Sequence, residues 1–212
     1  MSSAFTQKTA RYQQIGWPIN ALAGLLVIGL TWLSLPLGVI AFIGFLYLQL
    51  LVRQRDGFLP SDSAWGAEAI IAPVDGVVSA IEYKSDATII TFTGQVASSQ
   101  LCYSPVNGVV EDTLWIDGEY TDPHDNLWSV HAARHECVID MGRDPIILCL
   151  MGTKWTRYLT LSYAQGQSIN RGEPCGLSLL RSTVRLIIPT HHDVIVFEGQ
   201  RVLGGQTVIA DR

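Results

Sequence analysis

The sequence predicts a mainly β domain, folded as a barrel-like sandwich of two similar halves and preceded by a membrane helical hairpin near the N-terminus. Three observations carry this prediction. An uncharged apolar run extends from Ile19 to Val52. Beyond it, short β-branched runs alternate with turn residues, and no long helical period appears. Two short patterns each occur twice, in the same order and at nearly equal offsets.

The apolar run is too long for one span. As a single straight helix it would measure about 51 Å at 1.5 Å per residue, against a hydrocarbon core of about 30 Å. Pro36 sits near its middle and Gly38 follows. A helix breaks at or before such a proline, so the run reads as two helices, one near 19–35 and one near 37–52. Each arm is slightly short for a full crossing, which leaves a re-entrant hairpin open beside a spanning one. Lys8 and Arg11 precede the run and Arg53 and Arg55 follow it, with no acidic residue before Asp56. Positive flanks on both sides place both ends, residues 1–18 included, in the cytoplasm. A cleaved signal peptide fits poorly, because the run far exceeds a signal core and no A-x-A site follows. Trp17, Trp32 and Tyr47 are candidate interfacial aromatics.

Residues 53–69 form a polar linker with Gly, Pro and Ser. The β domain, 70–212, then begins with Ile70–Ala72, a Pro73-Val-Asp-Gly76 turn and Val77–Ile81. Thr88–Phe92, Val109–Val110, Cys137–Ile139, Ile146–Leu150, Val184–Ile188 and Val194–Phe197 follow as strands. Residues 124–136 are the one place for a short helix. The first repeated pattern is Pro73-Val-Asp-Gly-Val-Val78 against Pro105-Val-Asn-Gly-Val-Val110. The second is Gly166-Gln-Ser-Ile-Asn-Arg-Gly172 against Gly199-Gln-Arg-Val-Leu-Gly-Gly205. Glycines so placed supply the positive φ of tight turns. The repeats suggest two β-hammerhead halves, a pattern similar to lipoyl- and biotinyl-type domains. No lysine lies where a swinging-arm carrier would be modified.

Of the 14 basic residues 12 follow Val52, as do all 19 acidic ones, a net charge of −7. That balance argues against nucleic acid as a partner. Cys102, Cys137, Cys149 and Cys175 are scattered, without a C-x-x-C pair or a short His/Cys spacing, and read as reduced core thiols rather than metal ligands. His124, His131, His135, His191 and His192 read as solvated loop residues.

Taken in order, these features resemble the short bacterial phosphatidylserine decarboxylase family. The resemblance rests on the apolar run, Arg53-Gln-Arg-Asp56, Ala72-Pro-Val-Asp-Gly-Val-Val78 and Ser104-Pro-Val-Asn-Gly108. It ends on Gly172-Glu-Pro-Cys-Gly176, a few residues, then Arg181-Ser182 and a strand closing at Pro189. The family's members are proenzymes. A serine attacks the carbonyl before it, the ester eliminates, and the new N-terminus becomes a pyruvoyl group whose ketone is the electron sink when CO2 leaves. The resemblance therefore implies Ser182 as pyruvoyl precursor, cleavage between Arg181 and Ser182, and Asp75 as a carboxylate orienting a base. It implies no metal. Arg157 falls where the family places an arginine, either a contact for lipid phosphate or a surface ion pair. Asp75 is also a good turn former in its own right.

At two places the sequence departs from the pattern. Ser98 and Gln100 stand where the family has Asp-x-His, and Arg181 stands where it has Gly. Glutamine is no general base near neutral pH, and a side chain at position 181 is costly in a strained turn. Two readings follow. One is a decarboxylase turning phosphatidylserine into phosphatidylethanolamine; its partners are a phospholipid substrate and the membrane, and its form is a cleaved two-chain heterodimer or a homo-oligomer. The other is a non-catalytic, membrane-tethered relative that binds a lipid headgroup or a protein.

Overall fold

The computed structural model describes residues 21–51, 66, 68–95, 98–123, 128–178 and 183–212. The chain divides into two compact units, Met1–Arg55 and Asp56–Arg212. Lys8, Arg11, Trp17, Arg53, Arg55 and nearly all of the 53–69 linker lie outside the described residues.

In the first unit the apolar run is two helices, α1 over residues 21–33 and α2 over Leu35–Leu51. The break falls at Ser34, just before Pro36. The Ser34 N–H closes the last turn of α1 on the Leu30 carbonyl, and its own carbonyl accepts the Gly38 N–H, both at 3.0 Å. Pro36 therefore sits in the first turn of α2, where its missing N–H costs no bond. Partial burial recurs at Ala23, Val27, Leu30 and Ser34, then at Gly38, Ala41 and Phe45, and Gly38 alone of these is fully buried. A Cβ on Gly38 would stand 2.8 Å from the Thr31 Cα, so the helices touch through small residues at the break. Other faces expose large apolar side chains, Trp32 at 96% and Leu33 at 77% among them. No helix among the described residues is long and apolar enough to cross a membrane. With 17 residues, α2 is about 26 Å long.

The second unit is mainly β. Its strands are β1 Ile70–Ile71, β2 Gly76–Tyr83, β3 Ala87–Gly94, β4 Leu101–Tyr103 and β5 Gly108–Ile116. After the single-turn α3, Trp128–His131, come β6 Arg134–Asp140, β7 Pro145–Met151, β8 Leu159–Leu161, β9 Ser168–Ile169 and β10 Pro174–Ser178. The last four are β11 Thr183–Pro189, β12 Asp193–Val194, β13 Arg201–Val202 and β14 Val208–Asp211. An eight-stranded antiparallel sheet runs β13-β2-β3-β11-β7-β6-β5-β9, and two three-stranded sheets run β1-β14-β12 and β4-β10-β8.

These orders are symmetric. Exchanging β13 with β9, β2 with β5, β3 with β6 and β11 with β7 reads the large sheet backwards. The same exchange carries one small sheet onto the other. Register agrees: Val78 pairs with Phe92 and Val110 with Ile139, and each ladder shifts immediately afterwards. The repeated sequence patterns occupy matching places. Gly199 and Gly166 have φ of 87° and 78°, and Gly205 and Gly172 both have 74°. The Gly199 N–H bonds the Val78 carbonyl and the Gly166 N–H bonds the Val110 carbonyl, each at 2.8 Å. One half, β4–β10, is continuous in sequence. The other is assembled from β1–β3 and β11–β14 around it.

The main core holds Phe92, Ile139, Leu148, Leu150, Val184 and Leu186 together with Leu161 and Ile209 of the small sheets. A second cluster packs Trp128 and Ala132 against Cys149 and Met151. All four cysteines are buried. Burial pushes the Cys137 and Cys149 thiols up to about 12, which leaves them protonated and unreactive.

Several expectations need correction. Among the described residues the short helix expected within 124–136 is Trp128–His131, and it stops there because Arg134–Glu136 belong to β6 and pair with β7. Strand β12 stops at Val194 rather than reaching Phe197, whose side chain is exposed. The histidines are not all solvated loop residues. His135 is part of β6, and His192 is buried at 3% exposure.

Candidate active site

The chain enters the candidate site from two sheets. Strand β10, central in its small sheet, ends at Ser178, and β11, central in the large one, begins at Thr183. Arg181 and Ser182 lie between them, outside the described residues. The strand ends that bracket them are firmly held. Thr183 pairs with Thr93 on one side and Met151 on the other, and Ser178 pairs with Leu159. Both bracket residues are buried, and neither the Ser178 Oγ nor the Thr183 Oγ1 has a hydrogen-bond partner among the described residues. Two buried hydroxyls of this kind suit the neighbourhood of a reacting carbonyl, to which each could donate.

Asp75 approaches from the turn before β2. Val77 pairs with Thr93, which pairs with Thr183, so Asp75 lies past that row at the end of the sheet where β11 begins. Two strand spacings, about 10 Å, separate the backbones. Asp75 is 3% exposed, and its Oδ1 accepts the Gly204 N–H at 2.8 Å. In the other half Asn107 Oδ1 accepts the Arg171 N–H at the same distance. Clamping the turn thus requires an acceptor at this position and no charge.

Gln100 also reaches the bracket, since its carbonyl accepts the Ser178 N–H at 3.1 Å. Its buried side-chain amide donates to the carbonyls of Gln95 at 3.0 Å and Ser98 at 2.8 Å. The amide ties Gln95 and Ser98 to Gln100 as a donor. Ser98 turns its hydroxyl to the Gln95 carbonyl at 2.7 Å.

The histidines divide by place. His124 lies outside the described residues. His135 shares a cross-sheet row with Leu150 and Val184, two strands from β11. Its Nδ1 accepts the Leu161 N–H at 3.2 Å, and burial lowers its pKa, so the ring is neutral near pH 7. His191 and His192 follow the far end of β11, about 20 Å along the strand from Thr183 at 3.3 Å per residue. Arg157 is exposed, with its guanidinium 5.7 Å from the Tyr120 ring centroid. It stands two residues before Leu159, the partner of Ser178. The fold therefore gathers Asp75, Gln100 and Arg157 around one bracket and leaves His191 and His192 elsewhere. The parts missed in sequence were Ser178 and Thr183, whose only signal is their position beside Arg181-Ser182.

Comparison with known proteins agrees with this layout. Residues 58–210 match the phosphatidylserine decarboxylase family. A phosphatidylserine decarboxylase proenzyme of Geobacter sulfurreducens is 26% identical over 209 residues, covering 92% of this chain and 93% of its own. Proenzymes of the same name from Ehrlichia chaffeensis and Chlorobaculum tepidum are each 26% identical, covering 84% and 86% of this chain and 81% and 88% of their own. The matched region takes in both halves of the β unit and the bracket between β10 and β11, and the chain belongs to the phosphatidylserine decarboxylase family.

Proposed function

We propose that the chain is a phosphatidylserine decarboxylase of phospholipid biosynthesis, made as a proenzyme that cleaves itself between Arg181 and Ser182. Its reaction yields phosphatidylethanolamine and CO2. The observation that carries this reading is the family match across the two strand ends that bracket the cleavage pair. The residues present fit a pyruvoyl group there: two buried hydroxyls without partners among the described residues flank the position, and a buried carboxylate, Asp75, stands two strands away at the same end of the large sheet. That group would supply the ketone that takes up electrons as CO2 departs. Ser178 and Thr183 would donate to carbonyl oxygens of the bracket, and Asp75 would hold a proton or orient its carrier. The Gln100 amide is no base near neutral pH, so the proton of the Ser182 hydroxyl would leave to another acceptor. Arg157 would meet lipid phosphate.

The same reading places residues 19–52 as a hairpin in the inner membrane and the β unit, with its two hammerhead-like halves, on the cytoplasmic side. Its support is the exposed apolar surface of α1 and α2 and the basic residues at both ends of the run.

Denaturing electrophoresis with intact-mass analysis tests the proposal. A C-terminal fragment beginning at position 182, carrying a borohydride-reducible carbonyl, is expected, and Ser182→Ala should abolish it. Arg181→Gly combined with Gln100→His should speed the cleavage. An intact chain in both the natural protein and that double variant would overturn the enzyme reading and leave a membrane-tethered binding protein.

A further inference from the structure

The internal two-fold that relates the halves also relates places in the large sheet. It carries β11 onto β7, so the residues entering β11 correspond to those entering β7. By that register Arg143 and Asp144 are the counterparts of Arg181 and Ser182, and Glu68 is the counterpart of Gln100. At this second place there is a cleft of about 220 Å³, lined by Glu68, Met141, Gly142, Arg143, Asp144, His191 and His192. The duplicated fold thus has a concavity at the position equivalent to the Arg181-Ser182 bracket, lined by different residue types.

One group in it lacks a structural explanation. His192 is 3% exposed and lines the cleft, and neither ring nitrogen has a hydrogen-bond partner among the described residues. The Pro189 carbonyl on its own turn favours the protonated ring, and burial outweighs it, so the His192 pKa is lowered. A buried imidazole with no partner costs free energy unless something else satisfies it. Its counterpart in the other half, Leu159, is apolar and packs in the core. Around His192 stand groups of both signs. Arg212 bridges Glu68 at 3.1 Å, and Asp144 lies 3.6 Å from the His191 Nδ1. The two histidine rings stack with centroids 4.3 Å apart. Arg143 projects from an exposed position.

We propose that this cleft is a second ligand site, for a small zwitterion carrying a primary ammonium and an oxyanion, as an aminophospholipid headgroup does. Arg143 and a donor N–H of His192 take the oxyanion; Glu68 and Asp144 take the ammonium. The volume suits this class: it equals about seven waters at about 30 Å³ each, and falls below the about 300 Å³ at which drug-sized pockets begin. The headgroup assignment rests on the proposed lipid chemistry, but the site itself does not depend on self-cleavage.

The test uses the full-length protein in detergent micelles, followed by imidazole NMR and calorimetry. O-phosphoethanolamine should bind and shift the His192 resonance, with inorganic phosphate and ethanolamine each weaker by about tenfold or more. Arg143→Ala, at an exposed position that does not threaten folding, and Glu68→Gln should each weaken binding about tenfold. Vesicles of phosphatidylethanolamine, compared with phosphatidylcholine vesicles lacking an N–H, separate a membrane headgroup from a free metabolite as the source. Absence of binding, equal binding of inorganic phosphate, or binding unchanged in both variants would overturn the proposal. Failure of cleavage with binding intact would sink the enzyme reading and spare this one.

Discussion

Asp75 and Asn107 accept equivalent backbone N–H groups from the same distance, yet only one of them carries charge. Turn clamping and chemistry can therefore be separated at a single position. Asp75→Asn keeps the acceptor and should change stability by less than about 1 kcal/mol, whereas Asp75→Ala strands a buried N–H and should cost about 1–3 kcal/mol. Urea denaturation measures both. If the carboxylate serves cleavage, the Asn variant stays folded and unprocessed; normal processing by that variant would remove Asp75 from the chemistry. The histidines give a second residue-level prediction. Burial lowers the pKa of both His135 and His192, and His191 adds to the effect at His192. Below about pH 6.5 the unfolded chain binds protons that the folded one resists. Stability should thus be full above that pH and fall as pH drops, by up to about 1.4 kcal/mol per pH unit for each group. His192→Gln should flatten the slope; an unchanged slope in urea midpoints between pH 7.5 and 5 would exclude His192 as a source.

At the scale of elements, the long central strands were legible and the short ones were not. Thr88–Phe92, Ile146–Leu150 and Val184–Ile188 announce themselves because they are buried and β-branched. Strands β8, β9 and β13 have two or three residues and owe their existence to pairing rather than propensity. Beyond Val110, β5 runs through Glu111 and Asp112 with its side chains mostly exposed, Leu114 and Trp115 included, so no alternation of buried apolar residues marks it. The repeats carried more information than any one run, since they foretold matching turns that the structure places two-fold related. They also mark where a side chain cannot go. A Cβ on Gly76 would come within 3.0 Å of the Thr93 carbonyl oxygen, and one on Gly108 equally close to that of Asp140. Gly76→Ala and Gly108→Ala should each destabilise by about 1–3 kcal/mol, the cost of overpacking, with similar shifts in urea midpoint. A marked difference between them would show that the halves are not mechanically equivalent there. The Arg181-Ser182 pair was legible as a motif, while the buried hydroxyls at the strand ends on either side required the sheets to be assembled first.

For the whole molecule, the consequence lies in how the halves interlace. Strand β11 sits in the middle of the large sheet, pairing with β3 over Thr183–Pro189 and with β7 over five of those residues. Further along, β13 pairs with β2 and β14 with β1. A break before position 182 would therefore leave a short peptide woven into both layers of its larger partner, with ladder bonds on either side of its first strand. Such a nick would free a new chain end for chemistry without freeing the peptide. The protein should behave as a split scaffold: residues 1–181 and 182–212, expressed as separate chains, should reassemble and co-purify, with a melting transition at one temperature. Strand exchange with added labelled peptide should then be as slow as global unfolding, because the peptide has no exit that spares the central sheet.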